Sequence, residues 1–348
     1  FLSTHLCHCP IASESIGVAA GATGIVEITA WILGAPGDVV VFPAPCYPVY
    51  KQDIGNKAQL KRFDLINHHE LTEIAQAPAL RVSQLEETWQ TLTQNGERFR
   101  MLVITNPDNP TGGLFELSQL EAIADWCIAH QVHLVVNEIY GLSLLNTQHP
   151  QLIADYEQQR TFQSFAQIMN QKQNPYLHLW YALSKDFGAS GFRVGMVHSW
   201  NSALLAAFNN LSAPHLVSNV TQWIFQQVLS DTDFVTNYIQ QNQMWLTESY
   251  LVVIEVLRRL NLPYVPARGS LFVWLDLSEF LDAPELEAES RFWLQLYEKT
   301  GVLLTPGEGF GHSKYGQFRL VYPSMSKANL IVAMQRFEQF VHQLRSKA

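Results

Sequence analysis

The residues best suited to do chemistry lie in Tyr181-Ala182-Leu183-Ser184-Lys185-Asp186-Phe187-Gly188, followed closely by Gly191-Phe192-Arg193-Val194-Gly195. A lysine placed directly after an apolar run stands near a sheet end. Desolvation there disfavours its charged form and leaves the neutral amine that a Schiff base requires. Ser184 and Arg193 add a hydroxyl and a planar guanidinium, donors suited to an anion such as a phosphate. Alone, this segment reads as a strand-end lysine in a glycine loop. It is not alone.

Gly21-Ala22-Thr23-Gly24 opens an apolar helical stretch, so its free backbone N–H groups and the Thr23 hydroxyl make a phosphate-binding helix start. The run Met101 to Thr105 leads into Asn106-Pro107-Asp108-Asn109-Pro110-Thr111-Gly112-Gly113, which presents two side-chain amides at the carboxyl end of a strand. Ligands of open α/β sheets bind in that position. Asn137-Glu138-Ile139-Tyr140-Gly141 follows the next apolar run in the same way, and Tyr47 within Pro45-Cys46-Tyr47-Pro48-Val49-Tyr50 offers an aromatic face to a planar ring.

The elements that must position these residues are apolar runs at Val39 to Phe42, Met101 to Thr105, Val132 to Val136, Leu177 to Ala182 and Val194 to His198. Unbroken apolar runs mark strands of a mostly parallel sheet covered on both faces. Helical stretches separate several of them, such as Leu117 to His130, where Ser118 and Glu121 suggest a capping box. The alternation predicts an α/β fold. From about Ala213 the pattern becomes helical, with a long helix over 233–260 as a connector. Strands at Leu271 to Leu275 and Phe318 to Val321 and a helix over Ser326 to Leu344 then suggest a smaller α+β unit. We therefore expect a large domain over 1–232 and a small C-terminal domain over 233–348.

Composition narrows the function classes. The formal net charge is −9, with no Lys/Arg-rich run, which gives no electrostatic reason to expect nucleic acid or an anionic membrane as partner. No window of about twenty residues is apolar enough to span a bilayer, and the start lacks the basic and apolar regions of a signal peptide. The four cysteines show no disulfide-framework spacing, which suggests a reducing, cytoplasmic compartment. His5-Leu6-Cys7-His8-Cys9 packs its ligands too closely for one tetrahedral metal site and reads as a plain terminal segment.

Taken in order, NPDNPTGG, NEIYG and SKDFGASGFRVG resemble the class I/II aminotransferases of pyridoxal-5′-phosphate (PLP) fold type I, and within them the ACC-synthase-like branch. The likeness runs from about Gly21 to Phe337. It implies a large domain with a mostly parallel sheet between helices, PLP as cofactor, a small amino acid as substrate and a homodimer. It further implies Ala22, Thr23, Ser184 and Arg193 as phosphate ligands and Tyr47 stacked on the pyridine ring. Asn109 and Tyr140 would bond the ring's 3′-oxygen, Lys185 would form the Schiff base, and Arg319 in Gln317-Phe318-Arg319-Leu320 would grip the substrate carboxylate.

Two departures from the pattern bear on activity. Asn137 stands where the family has an aspartate whose charge keeps the pyridine nitrogen protonated, so the ring should be a weaker electron sink. The segment that precedes the phosphate loop in the family has no counterpart here. The leading expectation is a PLP-dependent aminotransferase. The alternatives are an ACC-synthase-like carbon–sulfur lyase and a PLP-binding protein with weak or no catalysis.

Overall fold

The computed structural model describes residues 1–66, 80–311 and 314–346. Its larger sheet contains β1 (Ile16–Ala19), β2 (Val39–Ala44), β3 (Lys61–Ile66), β4 (Phe99–Thr105), β5 (His133–Asn137), β6 (Leu177–Ala182) and β7 (Gly195–Ser199). The order across it is β1-β7-β6-β5-β4-β2-β3. Strands β3, β2, β4, β5 and β6 run parallel, whereas β7 is antiparallel to β6 and β1 is antiparallel to β7. The sheet is therefore mostly parallel, as the apolar runs predict.

Among the described residues, seven α-helices of the first part lie between these strands or just after them: α1 (Gly21–Leu33), α2 (Tyr50–Gly55), α3 (Val82–Gln94), α4 (Leu117–Ala129), α5 (Ala166–Lys172), the short α6 (Leu183–Asp186) and α7 (Ser202–Leu211). The strand side chains alternate between two apolar layers, because successive residues of a strand point to opposite faces. Val41, Leu102, Ile104, Leu134, Val136 and Leu179 join one layer with residues of α3, α4 and α5. Val40, Phe42, Met101, Val103, Val135 and Trp180 join the other with residues of α1, α2 and α7. Each fully buried Leu, Ile or Val contributes about 1.5–3 kcal/mol, which is why both faces of this sheet are apolar and the strands read as continuous runs.

The chain then continues through α8 (Asn219–Ser230) and α9 (Thr232–Arg259), followed by β8 (Tyr264–Val265), β9 (Phe272–Asp276), α10 (Leu286–Thr300), β10 (Thr305–Pro306), β11 (Gln317–Val321) and α11 (Lys327–Arg345). The second sheet, β10-β11-β9-β8, is antiparallel throughout. It buries Val273, Leu275, Phe318 and Leu320 against α9, α10 and α11. Helix α9 serves both cores: Ile239 packs against the first, and from Leu246 onward its apolar face belongs to the second.

Two expectations are corrected. Ser118 and Glu121 form no capping box: α4 begins at Leu117, its cap position is Glu116 in extended conformation, and no side chain closes the cap. Ser118 is already inside the first turn, where its hydroxyl cannot stand in for the residue before the helix. The start of the chain is also more than a plain terminal segment. Residues Leu2–Leu6 form a π-helical turn, and Leu2, Leu6 and Cys7 are buried in the first core.

Candidate active site

The parallel strands all end at one edge of the larger sheet, and the chemistry collects there. Tyr47 follows β2, Asn109 follows β4, Asn137 is the last residue of β5 and Tyr140 comes three residues later, while Ser184 and Lys185 follow β6 in α6. Because β7 is antiparallel, its beginning, with Arg193 just before it, faces the same edge. The end of β1 lies there too and leads into α1 with Ala22 and Thr23. These nine residues all line one cavity of about 170 Å3, together with Val26, Tyr50, Asp53, Thr105, Ile139 and Ser190.

Helix α1 has no side chain capping its first turn, so the early N–H groups are free for an anion. Gly21 is at φ +79°, and a Cβ there would collide with the Arg193 guanidinium; a Cβ on Gly195 would come 2.5 Å from the Gly21 backbone. Glycine at both places lets the helix start, the arginine and β7 close on one another. Arg193 itself donates to the carbonyls of Ser190 at 3.0 Å and Ala20 at 3.4 Å. The Ser184 hydroxyl is buried with no hydrogen-bond partner. A polar group left that way costs about 1–3 kcal/mol, and an anion bound between α1 and Arg193 would supply its missing partner.

Lys185 is open to the cleft, yet enough protein surrounds its amine that burial lowers its pKa, and the positive charges of Arg319 and Arg193 lower it further. All three effects favour the neutral, nucleophilic form. Its neighbour Asp186 is fully enclosed. It accepts from Ser143 Oγ at 2.6 Å, from the Leu142 N–H at 3.0 Å and from Tyr181 Oη at 3.0 Å. Burial nevertheless pushes it up to about 7. These bonds pin the Lys185 turn to the loop after Tyr140. Asp186 was not singled out in the sequence because its role depends on Ser143, more than forty residues away.

Asn109 bridges two other site residues. Its Nδ2 donates to Tyr140 Oη at 3.4 Å, and its Oδ1 accepts from Arg319 Nη1 at 3.0 Å. Arg319 does not line the cavity wall but reaches it through this bond from β11 of the second sheet. Its guanidinium lies over Phe272 at 4.5 Å and Phe310 at 5.0 Å, and its Nε is buried without a partner. Tyr47 packs edge-on to Tyr50, with ring centres 5.3 Å apart.

Asn137 is tied on both sides of its amide. Nδ2 donates to Tyr50 Oη at 2.8 Å, and Oδ1 accepts from the Ile139 N–H at 3.2 Å. The second bond fixes the orientation, because the reverse would set an NH2 group against an N–H. Tyr50 and Asp53, one turn apart on α2, were missed in the sequence. Nothing in their spacing shows that α2 turns this face toward β5.

A seven-stranded, mostly parallel sheet with a lysine at its carboxyl edge, joined to a smaller antiparallel unit that lends an arginine, is the fold of the type I PLP enzymes. Solved structures agree on the fold: aspartate aminotransferase of Thermus thermophilus, in a double-mutant form, is similar with a TM-score of 0.80 and 20% identity, covering 97% of this chain and 78% of that one. The chain belongs to the family described as aminotransferase class I and II, which it matches over residues 5–337. That family and fold are PLP-dependent. Among curated proteins it is similar to a 1-aminocyclopropane-1-carboxylate synthase of Glycine max, 29% identical over 95% of this chain and 66% of that protein. It is likewise similar to 1-aminocyclopropane-1-carboxylate synthase 7 of Arabidopsis thaliana, 29% identical over 95% of this chain and 71% of that protein. The chain thus spans about two thirds of the length of these relatives.

Proposed function

We propose that the protein is a PLP-dependent aminotransferase-like enzyme acting on a small amino acid. The observation that carries this reading is the convergence, on one cavity, of an amine with lowered pKa at Lys185 and an unpartnered hydroxyl at Ser184, beside the free start of α1. When bound, the cofactor supplies an aldehyde that condenses with amines and a ring that accepts electrons from the substrate α-carbon.

The residues divide the work. The N–H groups of Ala22 and Thr23, with Ser184 and Arg193, would hold the phosphate. Tyr47 would lie against the ring, Asn109 and Tyr140 would bond the 3′-oxygen, and Asn137 would stand at the ring-nitrogen end. Arg319 takes the substrate carboxylate in the paired geometry that a guanidinium allows, and its unpartnered Nε supports that role. The Lys185 amine would take the aldehyde and afterwards would carry a proton to and from the substrate α-carbon. Borohydride reduction of the PLP-loaded protein followed by peptide mapping should place the label on Lys185. A label on Lys172 or Lys314 overturns the assignment.

The similarity to 1-aminocyclopropane-1-carboxylate synthases supports a second reading, a lyase that eliminates from a sulfonium amino acid. Product analysis separates the two, since only transamination yields a keto acid together with pyridoxamine phosphate. Two broader assignments belong to this proposal. The four cysteines are free thiols, which supports a reducing compartment such as the cytoplasm. Leu216, Val220 and Trp223 are 66%, 69% and 64% exposed, which supports a second copy packing on the α8 face to form a homodimer. Among the described residues no helix is long and apolar enough to cross a membrane.

A further inference from the structure

Asn137 brings no charge to its end of the cavity, and both sides of its amide are already engaged with protein. The cavity nevertheless contains a carboxylate. Asp53 is the single acidic side chain among the described residues that line it, and it sits on α2 one turn after Tyr50, the residue that Asn137 bonds. Positions three apart on a helix share a face.

We propose that Asp53 is the counter-charge for the pyridine nitrogen of the cofactor, in the role that Asn137 cannot fill; this rests on the reading of the cavity as a PLP site. Its location within the cavity supports the assignment. The anion end is formed by the first turn of α1 with Ser184 and Arg193. Asp53, on α2, is within electrostatic reach of Glu27 in the second turn of α1, whose neighbour Val26 also lines the cavity. Its charge also opposes ionisation of the Tyr47 and Tyr50 hydroxyls, which places it beside the aromatic wall.

The carboxylate is half-buried and takes no side-chain hydrogen bond or ion pair from the described residues. Lys57, just after α2, is paired with Glu27 at 2.8 Å. Among the described residues the charge that acts on Asp53 is that of Glu27, and burial followed by this charge pushes it up to about 6. A protonated ring nitrogen in the cavity supplies an N–H donor and a positive charge together, and both favour the ionised carboxylate.

The test is nitrogen-15 NMR of the protein loaded with PLP labelled at the ring nitrogen, alongside the absorbance of the lysine-linked cofactor. In the unsubstituted protein at neutral pH the ring nitrogen should resonate as protonated. In Asp53→Asn it should move to the unprotonated position while the lysine-linked absorbance remains, with PLP affinity falling by about tenfold. Adding Asn137→Asp to that variant should restore the protonated shift. An unchanged shift in Asp53→Asn, or an unprotonated nitrogen in the unsubstituted protein, overturns the proposal. If Asp53→Asn does not fold, Asn137→Asp alone decides: an already protonated nitrogen keeps its shift, whereas one protonated only by that substitution sinks the idea. Failure of the unsubstituted protein to form any lysine-linked cofactor overturns the site reading itself and this proposal with it.

Discussion

Arg319 shows how packing fixes the geometry of a single side chain. Its flat guanidinium is wedged between Phe272 and Phe310, its Nη1 is held by Asn109, and burial lowers its pKa. Nε is left to donate. Lysine in its place keeps the positive charge but loses the fork geometry and the stacking. Arg319→Lys is therefore expected to raise KM for the amino-acid substrate by about tenfold or more, the worth of one charge-assisted hydrogen bond of about 1.5–3 kcal/mol. Steady-state kinetics against a series of amino acids checks this. An unchanged KM would remove Arg319 from substrate binding. The Lys185 mapping and the Asp53 experiment belong to the same scale, because each turns on one charged group and its immediate neighbours.

At the scale of elements, neighbouring strands of the larger sheet are joined by buried side chains as well as by their ladders. His133 of β5 and His178 of β6 share a hydrogen bond of 2.9 Å between ring nitrogens, and His178 reaches Ser199 at the end of β7, also at 2.9 Å. Burial lowers the pKa of both histidines. For His133 the His178 charge adds to this, followed by Arg100 and Arg98; for His178 the further contributors are His198 and Arg100. Both are neutral when folded. In the unfolded chain each regains the usual value of about 6.5, so below that pH the unfolded state binds more protons than the folded one. The stability these groups permit is fully present above about pH 6.5 and is lost progressively as pH falls toward their lowered folded values, at up to about 1.4 kcal/mol per pH unit for each. Urea midpoints should drop between pH 7.5 and pH 5, and His178→Asn should flatten that slope. An equal slope in the variant would show that other groups govern the acid response.

For the whole molecule, the three most exposed large apolar side chains among the described residues lie around α8. Val220 and Trp223 are three apart on one helical face, with Leu216 just before the helix. Light scattering at micromolar concentration should report a dimer, and Trp223→Glu should shift it to monomer, since a charge in a desolvated contact costs several kcal/mol. A monomeric unsubstituted protein would rule out this contact. We also propose that the chain divides near 232/233 into a large and a small unit with α9 as the connector. The two sheets and the two sets of apolar contacts along α9 support that division.

Much of this was legible from the residues in order. The five long apolar runs are strands because both faces of the sheet are covered, and the Pro, Gly and Asn clusters at their ends mark the loops where a ligand would sit. Strands β1 and β3 were less visible. β1 is four residues long and lies at one edge of the sheet, and β3, at the other edge, keeps only partial burial, so neither presents the apolar run by which the other strands were found. Local sequence also carried Lys185, Ser184 and Arg193, since these lie within nine residues of one another. What it could not show was distance. That Arg319 of the second sheet bonds Asn109 of the first, that Asp186 ties down Ser143, and that α2 brings Tyr50 against Asn137 and Asp53 into the same cavity all depend on how separate elements pack. Residue types set what each group can do, but a carboxylate becomes a counter-charge only when folding removes its water and leaves it facing one particular partner.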